Sequence, residues 1–243
     1  MAENSPDKNA DPGSEASLLS HVEHWVFDLD NTLYPSSEAL FSEVDQRMGD
    51  FIATRLSLSY EDARKVQKEY FHQYGTTLRG LMIHHDVDPH EFLSHVHTVD
   101  VGRLSPNPRL DSVLSRIEGH KVIYTNATTH HARNVLERLG VSRHFPDVFD
   151  IIAADFIPKP DIRSYRALLA RYDIRPEAAV LFEDVPRNLE PARALGMTTV
   201  LIQTDHEWSR FGEIGAHIDH VVDNLTDWLH HALPEIVPDP SEA

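Results

Sequence analysis

Asp28 and Asp30 stand at the C-terminal end of a short apolar, aromatic-rich run that begins at Trp25. Such a run is typical of a buried strand, in which side chains two positions apart point to the same face. Two carboxylates on one face repel each other unless a cation or a proton lies between them. Because open α/β sheets bind ligands at the carboxyl ends of their strands, the pair indicates a functional site, with a helix-capping or surface aspartate as the ordinary alternative.

Other chemically active residues follow later apolar runs. Thr125 and Asn126 carry a hydroxyl and an amide that can donate to a phosphoryl oxygen or cap the next helix. Lys159 lies between two prolines, which restrict the backbone, so that it is either a positioned charge or a surface-loop lysine. Glu183 and Asp184 are adjacent carboxylates at a predicted strand end. Oxygen ligands of this kind suit a hard divalent cation such as Mg²⁺, whereas solvated loop acids are the alternative.

Short apolar runs alternate with helical patterns along the chain, which predicts an α/β fold whose Rossmann-like parallel sheet is covered by helices on both faces. The predicted strands are Trp25–Leu29, Lys121–Thr125, Ile151–Ala153, Val180–Phe182, Thr199–Ile202 and His220–Val222. The predicted helices between them are His130–Leu139, Ile162–Tyr172 and Asn188–Leu195. The chemically active residues above therefore fall near strand ends of one sheet.

The interval between the first two predicted strands is much longer than one crossover helix requires. It contains four patterns with helical apolar spacing, namely Ser37–Arg55, Tyr60–Tyr74, Thr77–His85 and Pro89–Val99. We favour an inserted all-helical cap over a long decorated crossover. The predicted domains are a core at 21–35 and 109–233, a cap at 36–108, a disordered N-terminal tail at 1–20 and a C-terminal tail at 234–243.

Composition narrows the function classes. The 243 residues contain no cysteine, which excludes disulfides, thiolate metal sites and a cysteine nucleophile. The formal net charge of −17 disfavours binding to nucleic acid polymers and anionic membranes. No apolar run is long enough for a transmembrane helix and no secretory signal pattern is visible, so we expect a cytoplasmic protein. An anionic substrate would need local positive charge.

The inventory of carboxylates, one hydroxyl and one lysine suits phosphoryl transfer, in which positioning and charge neutralisation dominate catalysis. In motif order the chain resembles the haloacid dehalogenase superfamily of aspartate-nucleophile phosphatases, through Asp28–Thr32, Thr125, Lys159 and Glu183-Asp184. Three segments further resemble its pyrimidine 5′-nucleotidase-like branch: Asp30–Pro35, Tyr74–Leu81 and Phe182–Glu190. True haloacid dehalogenases lack the second aspartate of the first motif, so Asp30 argues against dehalogenation.

The resemblance implies a role for each motif residue. Asp28 would attack phosphorus and form an aspartyl-phosphate, while Asp30 would protonate the leaving group and then deprotonate water. Thr125 and Lys159 would hold phosphoryl oxygens. The Mg²⁺ ligands would be Asp28, the backbone carbonyl of Asp30, Asp184, and Glu183 either directly or through water, with Asn188 supporting these carboxylates.

The cap is expected to select the substrate. Thr77 and Arg79 belong to a polar, glycine-flanked break between two helical patterns and are predicted to bind substrate, a plain interhelical turn being the alternative. The histidines between His84 and His97 show no metal-ligand spacing and are interpreted as surface residues of the cap. His130 and His131 stand close to the expected site, where one of them can contact substrate.

These observations predict a Mg²⁺-dependent phosphomonoester hydrolase. The first expected substrate is a nucleoside 5′-monophosphate, specifically a pyrimidine one, which rests on the family resemblance alone. The alternatives are a phosphatase for another small metabolite, such as phosphoglycolate or a sugar phosphate, and a metal-binding regulatory protein without turnover. The expected partner is a small phosphorylated metabolite, with the chain as a monomer or homodimer.

Overall fold

The computed structural model of the protein describes residues 19–204, 212 and 214–233. Nearly all of the predicted tail at 1–20, and all of that at 234–243, lie outside the described residues. The described residues contain one parallel sheet with the strand order β3-β2-β1-β4-β5-β6. Its strands are β1 (His24–Phe27), β2 (His120–Tyr124), β3 (Asp147–Phe149), β4 (Ala179–Glu183), β5 (Thr198–Ile202) and β6 (His220–Val222).

The sheet is covered on both faces, because alternate side chains of its central strands enter two separate apolar clusters. Trp25 and Phe27 of β1 pack in one cluster, whereas Val26 between them packs in the other. Such two-sided burial is what an apolar run without polar alternation predicts. Across the sheet, Phe27 stacks on Phe182 of β4 with ring centroids 4.7 Å apart.

Nine α-helices surround the sheet or form the cap. The cap helices are α1 (Leu40–Leu56), α2 (Tyr60–Tyr74), α3 (Thr77–His85) and α4 (Pro89–Val96). The core helices are α5 (Pro108–Arg116), α6 (Thr129–Leu139), α7 (Ile162–Arg171), α8 (Pro186–Leu195) and α9 (Leu225–Ala232). These bounds and the count refer to the described part of the chain. Within it, none of the helices has the length and apolar content that spanning a bilayer requires.

The predicted strand at Ile151–Ala153 is wrong, because the third strand lies four residues earlier. Asp147–Phe149 pairs with Val122–Tyr124, and the chain then turns at Asp150. The Asp150 carboxylate fixes this turn by accepting hydrogen bonds from the backbone N–H groups of Thr129 and Ala153, each at 2.8 Å. The Ile151 side chain packs in the apolar cluster of the cap instead of extending the sheet.

The cap packs its helices around a third apolar cluster, which includes Val44, Ile52, Leu81 and Phe92. Local capping explains where these helices begin, since Ser59 and Thr76 accept hydrogen bonds from backbone N–H groups in the first turns of α2 and α3. The predicted α/β fold with a parallel sheet and an inserted helical cap is confirmed, whereas the residue bounds assigned to the domains stay a prediction.

Candidate active site

Three neighbouring strands end at one edge of the sheet and bring the motif residues together. Asp28 directly follows β1, and its backbone N–H donates to the carbonyl of Phe182 at 2.9 Å. Thr125 directly follows β2, and its N–H donates to Phe149 O at 3.1 Å. Glu183 is the last residue of β4. Parallel pairing therefore brings three motifs that are far apart in the sequence into one cluster. This cluster lies at the carboxyl ends of the strands, where open α/β sheets bind their ligands.

Lys159 is the centre of this cluster. Its ammonium group lies 2.6 Å from Asp28 Oδ1, 2.6 Å from Glu183 Oε2 and 3.0 Å from the carbonyl of Tyr124. The side chain is only 2% exposed. Burial alone would lower its pKa, but the two carboxylates outweigh burial and raise the pKa of Lys159 above its ordinary value. Lys159 is therefore a fixed positive charge, with all three N–H donors engaged.

The loop that carries Lys159 is held from two sides. The Lys159 backbone N–H donates to Asn126 Oδ1 at 2.9 Å, so part of the Asn126 amide positions this loop. From the cap, Gly75 approaches so closely that a Cβ atom there would lie 2.9 Å from the carbonyl oxygen of Lys159. Gly75 also has a φ of 87°, which favours glycine. The sequence break before α3 thus packs directly on the lysine loop.

Asp28, Glu183 and Asp184 form a buried carboxylate cluster. One oxygen of each lies within 4.8 Å of the others. Burial and the neighbouring Glu183 raise the pKa of Asp28 to about 7, despite the opposing effect of Lys159. The pKa of Asp184 is also raised well above its ordinary value by burial and by Glu183. One lysine does not balance three buried acids, so the cluster needs protons or a cation, and its oxygen donors fit a hard divalent ion.

Asp30 lies apart from Lys159, in a network of its own. Its Oδ1 accepts a hydrogen bond of 2.5 Å from the Tyr34 hydroxyl and lies 2.9 Å from His131 Nε2. Burial alone would raise the pKa of Asp30, but His131 and Tyr34 together hold it below its ordinary value. Asp28 and Asp30 therefore occupy different electrostatic environments, although they are only two residues apart.

The remaining predicted residues lie in or near the same site. Thr125 is buried, and its Oγ1 accepts from the N–H of Ala127 at 3.0 Å. Asn188 is 7% exposed and borders the cavity beside the carboxylates. Asn31, which follows Asp30, has a φ of 63°, a conformation that asparagine and glycine adopt more readily than other residues. This backbone geometry explains why an asparagine suits the position.

The two predicted cap residues differ. Thr77 borders the cavity, but its hydroxyl already donates to the carbonyl of Gln67 at 3.1 Å. The structure does not bring Arg79 to the residues that border the cavity. It places Arg79 in a separate surface depression beside Pro158 and Asp161, because this side of α3 faces the outside of the lysine loop. Arg79 as a substrate ligand stays a prediction from the sequence.

Sequence reasoning missed how three residues act at the site. The Tyr34 hydroxyl donates a hydrogen bond to Asp30, a contact that the resemblance of the segment Asp30–Pro35 did not by itself indicate. His131 faces Asp30, and the ring of His97 stacks on His131 with centroids 4.7 Å apart. His97 was grouped with the surface histidines of the cap. Its position one residue after the buried Val96 was the available signal of burial.

A cavity of about 140 Å³ lies between the strand-end cluster and the cap. Its core end is polar and is formed by Asp28, Asp30, Lys159 and Asp184. Its cap end is mostly apolar and includes Phe41, Val44, Met48, Phe92, Leu93 and Val96. A charged, reactive end and an apolar, enclosing end together suit a site that holds one polar group for reaction and encloses the group attached to it.

Two known proteins are similar to this chain in sequence. Glyceraldehyde 3-phosphate phosphatase of Methanocaldococcus jannaschii is 29% identical over 228 residues, covering 87% of this chain and 94% of that protein. Phosphate metabolism protein 8 of Saccharomyces cerevisiae is 24% identical over 199 residues, covering 73% of this chain. The chain spans 60% of the yeast protein.

A solved structure shows the same fold. CbbY from Rhodobacter sphaeroides, solved in complex with phosphate, matches with a TM-score of 0.59 at 16% identity and covers 85% of this chain and 96% of its own. The sequence profile of haloacid dehalogenase-like hydrolases matches residues 22–196. This span contains the cap and every member of the carboxylate–lysine cluster. The chain therefore belongs to the haloacid dehalogenase-like hydrolases.

Proposed function

We propose that the protein is a Mg²⁺-dependent phosphomonoester hydrolase that acts on a small phosphorylated metabolite through an aspartyl-phosphate intermediate. The contact of Lys159 with Asp28, beside two further buried carboxylates, is the observation that carries this proposal. In this contact, Asp28 supplies an oxygen nucleophile and Lys159 supplies a fixed positive charge. The phosphatase relative from Methanocaldococcus jannaschii gives independent support, because glyceraldehyde 3-phosphate, the substrate in its name, is a small phosphorylated metabolite.

The first half of the reaction forms a covalent enzyme intermediate. A carboxylate oxygen of Asp28 attacks phosphorus, a new P–O bond forms, and the P–O bond to the leaving group breaks in line with the attack. The leaving oxygen takes its proton from the carboxyl group of Asp30. Lys159 and Thr125 hold phosphoryl oxygens, whose negative charge the ammonium group partly neutralises.

The second half restores the enzyme. Asp30, now a carboxylate, takes a proton from a water molecule, whose oxygen attacks phosphorus. The P–O bond to Asp28 breaks, inorganic phosphate leaves, and Asp30 again holds the proton that the next cycle needs. Asp28, the backbone carbonyl of Asp30, Asp184 and Glu183 would hold Mg²⁺, with Asn188 supporting these carboxylates. When bound, the ion supplies charge neutralisation between the acidic cluster and the phosphoryl group.

A nucleoside 5′-monophosphate, specifically a pyrimidine one, is the second candidate substrate. It is favoured by the similarity of Asp30–Pro35, Tyr74–Leu81 and Phe182–Glu190 to the nucleotidase-like branch. A cytoplasmic location, and a monomer or homodimer as the assembly, stay predictions from the sequence.

Phosphate release from a panel of esters tests the proposal. The panel contains glyceraldehyde 3-phosphate, phosphoglycolate, sugar phosphates, UMP, CMP and p-nitrophenyl phosphate, each with Mg²⁺ and with a chelator. We expect Mg²⁺-dependent release that the Asp28→Asn variant lacks. No release from any ester, or equal release by the folded Asp28→Asn variant, would contradict the proposed chemistry.

A further inference from the structure

We infer that the natural substrate carries a compact, uncharged leaving group with few hydroxyl groups, rather than a nucleoside, a carboxylate or a second phosphate. This inference rests on the proposed function and specifies the substrate class of the same site. It depends on the cap end of the cavity, whose residues take no part in the proposed chemistry. Three properties of that end carry it: its charge, its polarity and its volume.

The charge at the cap end excludes an anionic leaving group. Lys159 is the only lysine or arginine among the described residues that border the cavity, and it is engaged at the core end. The guanidinium group of Arg64 in the cap is paired with Asp45 at 2.6 Å, and Asp45 itself borders the cavity as an acid. Burial lowers the pKa of His97 to about 3, so this histidine adds no positive charge. A second anionic group would therefore be buried without a counter-charge, which is costly.

Two buried polar side chains of the cap end, Gln67 and Thr77, are already engaged in hydrogen bonds within the protein. Gln67 is fully buried, its amide N–H₂ group donates to Asp45 Oδ1 at 2.7 Å, and its Oε1 accepts from Arg64 at 2.9 Å. The Thr77 hydroxyl donates to the Gln67 carbonyl. A leaving group with many hydroxyls would lose its hydrogen bonds to water and replace few of them here, because most of the remaining wall consists of apolar side chains such as Val44, Phe92 and Val96.

The cavity volume favours a small leaving group. A cavity of about 150 Å³ lined by aliphatic and aromatic side chains holds one benzene molecule. The cavity here, at about 140 Å³, is of that size and must also admit the phosphoryl group at its core end. A base joined to a ribose is larger than one ring. The cavity therefore favours a leaving group of a few carbon atoms over a nucleoside.

Matched ester pairs test this inference. Glyceraldehyde 3-phosphate and 3-phosphoglycerate differ by an aldehyde against a carboxylate, and we expect kcat/KM to be about tenfold or more higher for the aldehyde. Glyceraldehyde 3-phosphate should exceed UMP and phosphoglycolate by a similar factor. An equal or higher kcat/KM for the carboxylate-bearing esters or for UMP would overturn the inference. Absence of Mg²⁺-dependent release from every ester, p-nitrophenyl phosphate included, would instead refute the proposed function, so the two failures are distinguishable.

A charge introduced into the cap end gives a second test. Met48 is half-buried and borders the cavity, so the long side chain in Met48→Lys can place an ammonium group there. We expect Met48→Lys to shift the kcat/KM ratio toward 3-phosphoglycerate by about tenfold. Met82 is an equally half-buried methionine of the same apolar cluster that does not border the cavity, so Met82→Lys is the matched control. Equal shifts in both variants would contradict the inference.

A different observation carries a second inference: we propose that His131 is a positioning residue for Asp30. His131 Nε2 and the Tyr34 hydroxyl both contact Oδ1 of Asp30. Because both groups contact Oδ1, they fix the orientation of the Asp30 carboxyl group and leave its Oδ2 for proton transfer. His131 is 1% exposed and its ring is stacked against His97 of the cap, which fixes its orientation.

Esters with different leaving groups test this role, which also rests on the proposed function. In His131→Phe the ring and its packing remain but the donor is lost, whereas His131→Gln retains an N–H donor. We expect His131→Phe to lower the single-turnover rate about tenfold or more for an alkyl phosphate, whose alkoxide needs a proton. The rate of p-nitrophenol release should change much less, since that phenolate leaves without protonation. His131→Gln should restore part of the alkyl rate.

Two results would overturn the assignment of His131. One is an unchanged single-turnover rate for the alkyl phosphate in folded His131→Phe. The other is an equal fall for both esters, which is the behaviour of a residue that only maintains the structure. Circular dichroism of each variant establishes that the fold is retained before rates are compared.

Discussion

The two ends of the cavity are built on different physical principles. At the core end, Lys159 bridges Asp28 and Glu183 at 2.6 Å each, so charged groups are fixed by short, specific contacts. At the cap end, an apolar wall encloses space without presenting a charge of its own beyond Asp45. Under the proposed function, the core end carries out the reaction and the cap end selects the leaving group. Substitutions at the two ends should therefore change different kinetic quantities.

Among substitutions that test the difference between the two ends, replacement of Lys159 should have the largest effect on stability and activity. In Lys159→Met the carboxylates of Asp28 and Glu183 lose their counter-charge while buried, which should reduce the free energy of unfolding by about 3–5 kcal/mol. Activity should fall on every ester alike. Denaturant unfolding and phosphate release measure the two effects. Lys121→Met is the matched control, because the Lys121 ammonium contacts only backbone carbonyls.

The acidic cluster should make stability depend on pH in an unusual direction. The pKa of Asp28 is raised to about 7 in the folded protein, above the ordinary value of an unfolded aspartate, so the folded state binds more protons between these values. Stability of the chelator-treated protein should therefore fall as the pH rises from about 4 to about 7. Added Mg²⁺ should raise the melting temperature more at pH 8 than at pH 5. A stabilisation by Mg²⁺ that is larger at pH 5 would contradict a carboxylate cation site.

A substitution in the apolar wall should change the ratio of kcat/KM between esters more than it changes the rate of the chemical step. Phe92→Leu shortens a side chain that is 2% exposed and borders the cavity, at a cost of about 1 kcal/mol in stability. We expect kcat/KM for a bulkier aryl phosphate to rise severalfold relative to glyceraldehyde 3-phosphate. Uniform loss on all esters would show that the cap end contributes to chemistry and would remove the contrast.

Arg79 should give the smallest effect. It lies in a depression outside the cavity, so Arg79→Ala should alter the ranking of substrates by less than about twofold, as is usual for surface substitutions. The sequence pattern predicted the opposite, a clear change in substrate ranking. A reordered panel in Arg79→Ala would therefore show that the cap moves Arg79 into the site during the reaction.

The difference between the two ends also explains which parts of the site could be predicted from the sequence alone. The core end was predictable because apolar runs mark strands and parallel pairing brings their carboxyl ends together, so Asp28, Thr125 and Glu183 had to be neighbours. The third strand was missed because Asp147–Phe149 is short and begins with a charged residue, whereas Ile151 satisfies the strand pattern but packs in the cap. The contact of His131 with Asp30 joins positions 101 residues apart and left no local pattern.

The central claim is that Asp28 becomes phosphorylated, and trapping this intermediate tests it most directly. The protein is mixed with Mg²⁺ and glyceraldehyde 3-phosphate, quenched in acid and digested, with borohydride reduction of one portion. We predict the added mass of one phosphoryl group on the peptide that contains Asp28, and conversion of that aspartate to homoserine by borohydride. Phosphate release by an active protein with no such modification, or with the phosphoryl group on another residue, would contradict the account.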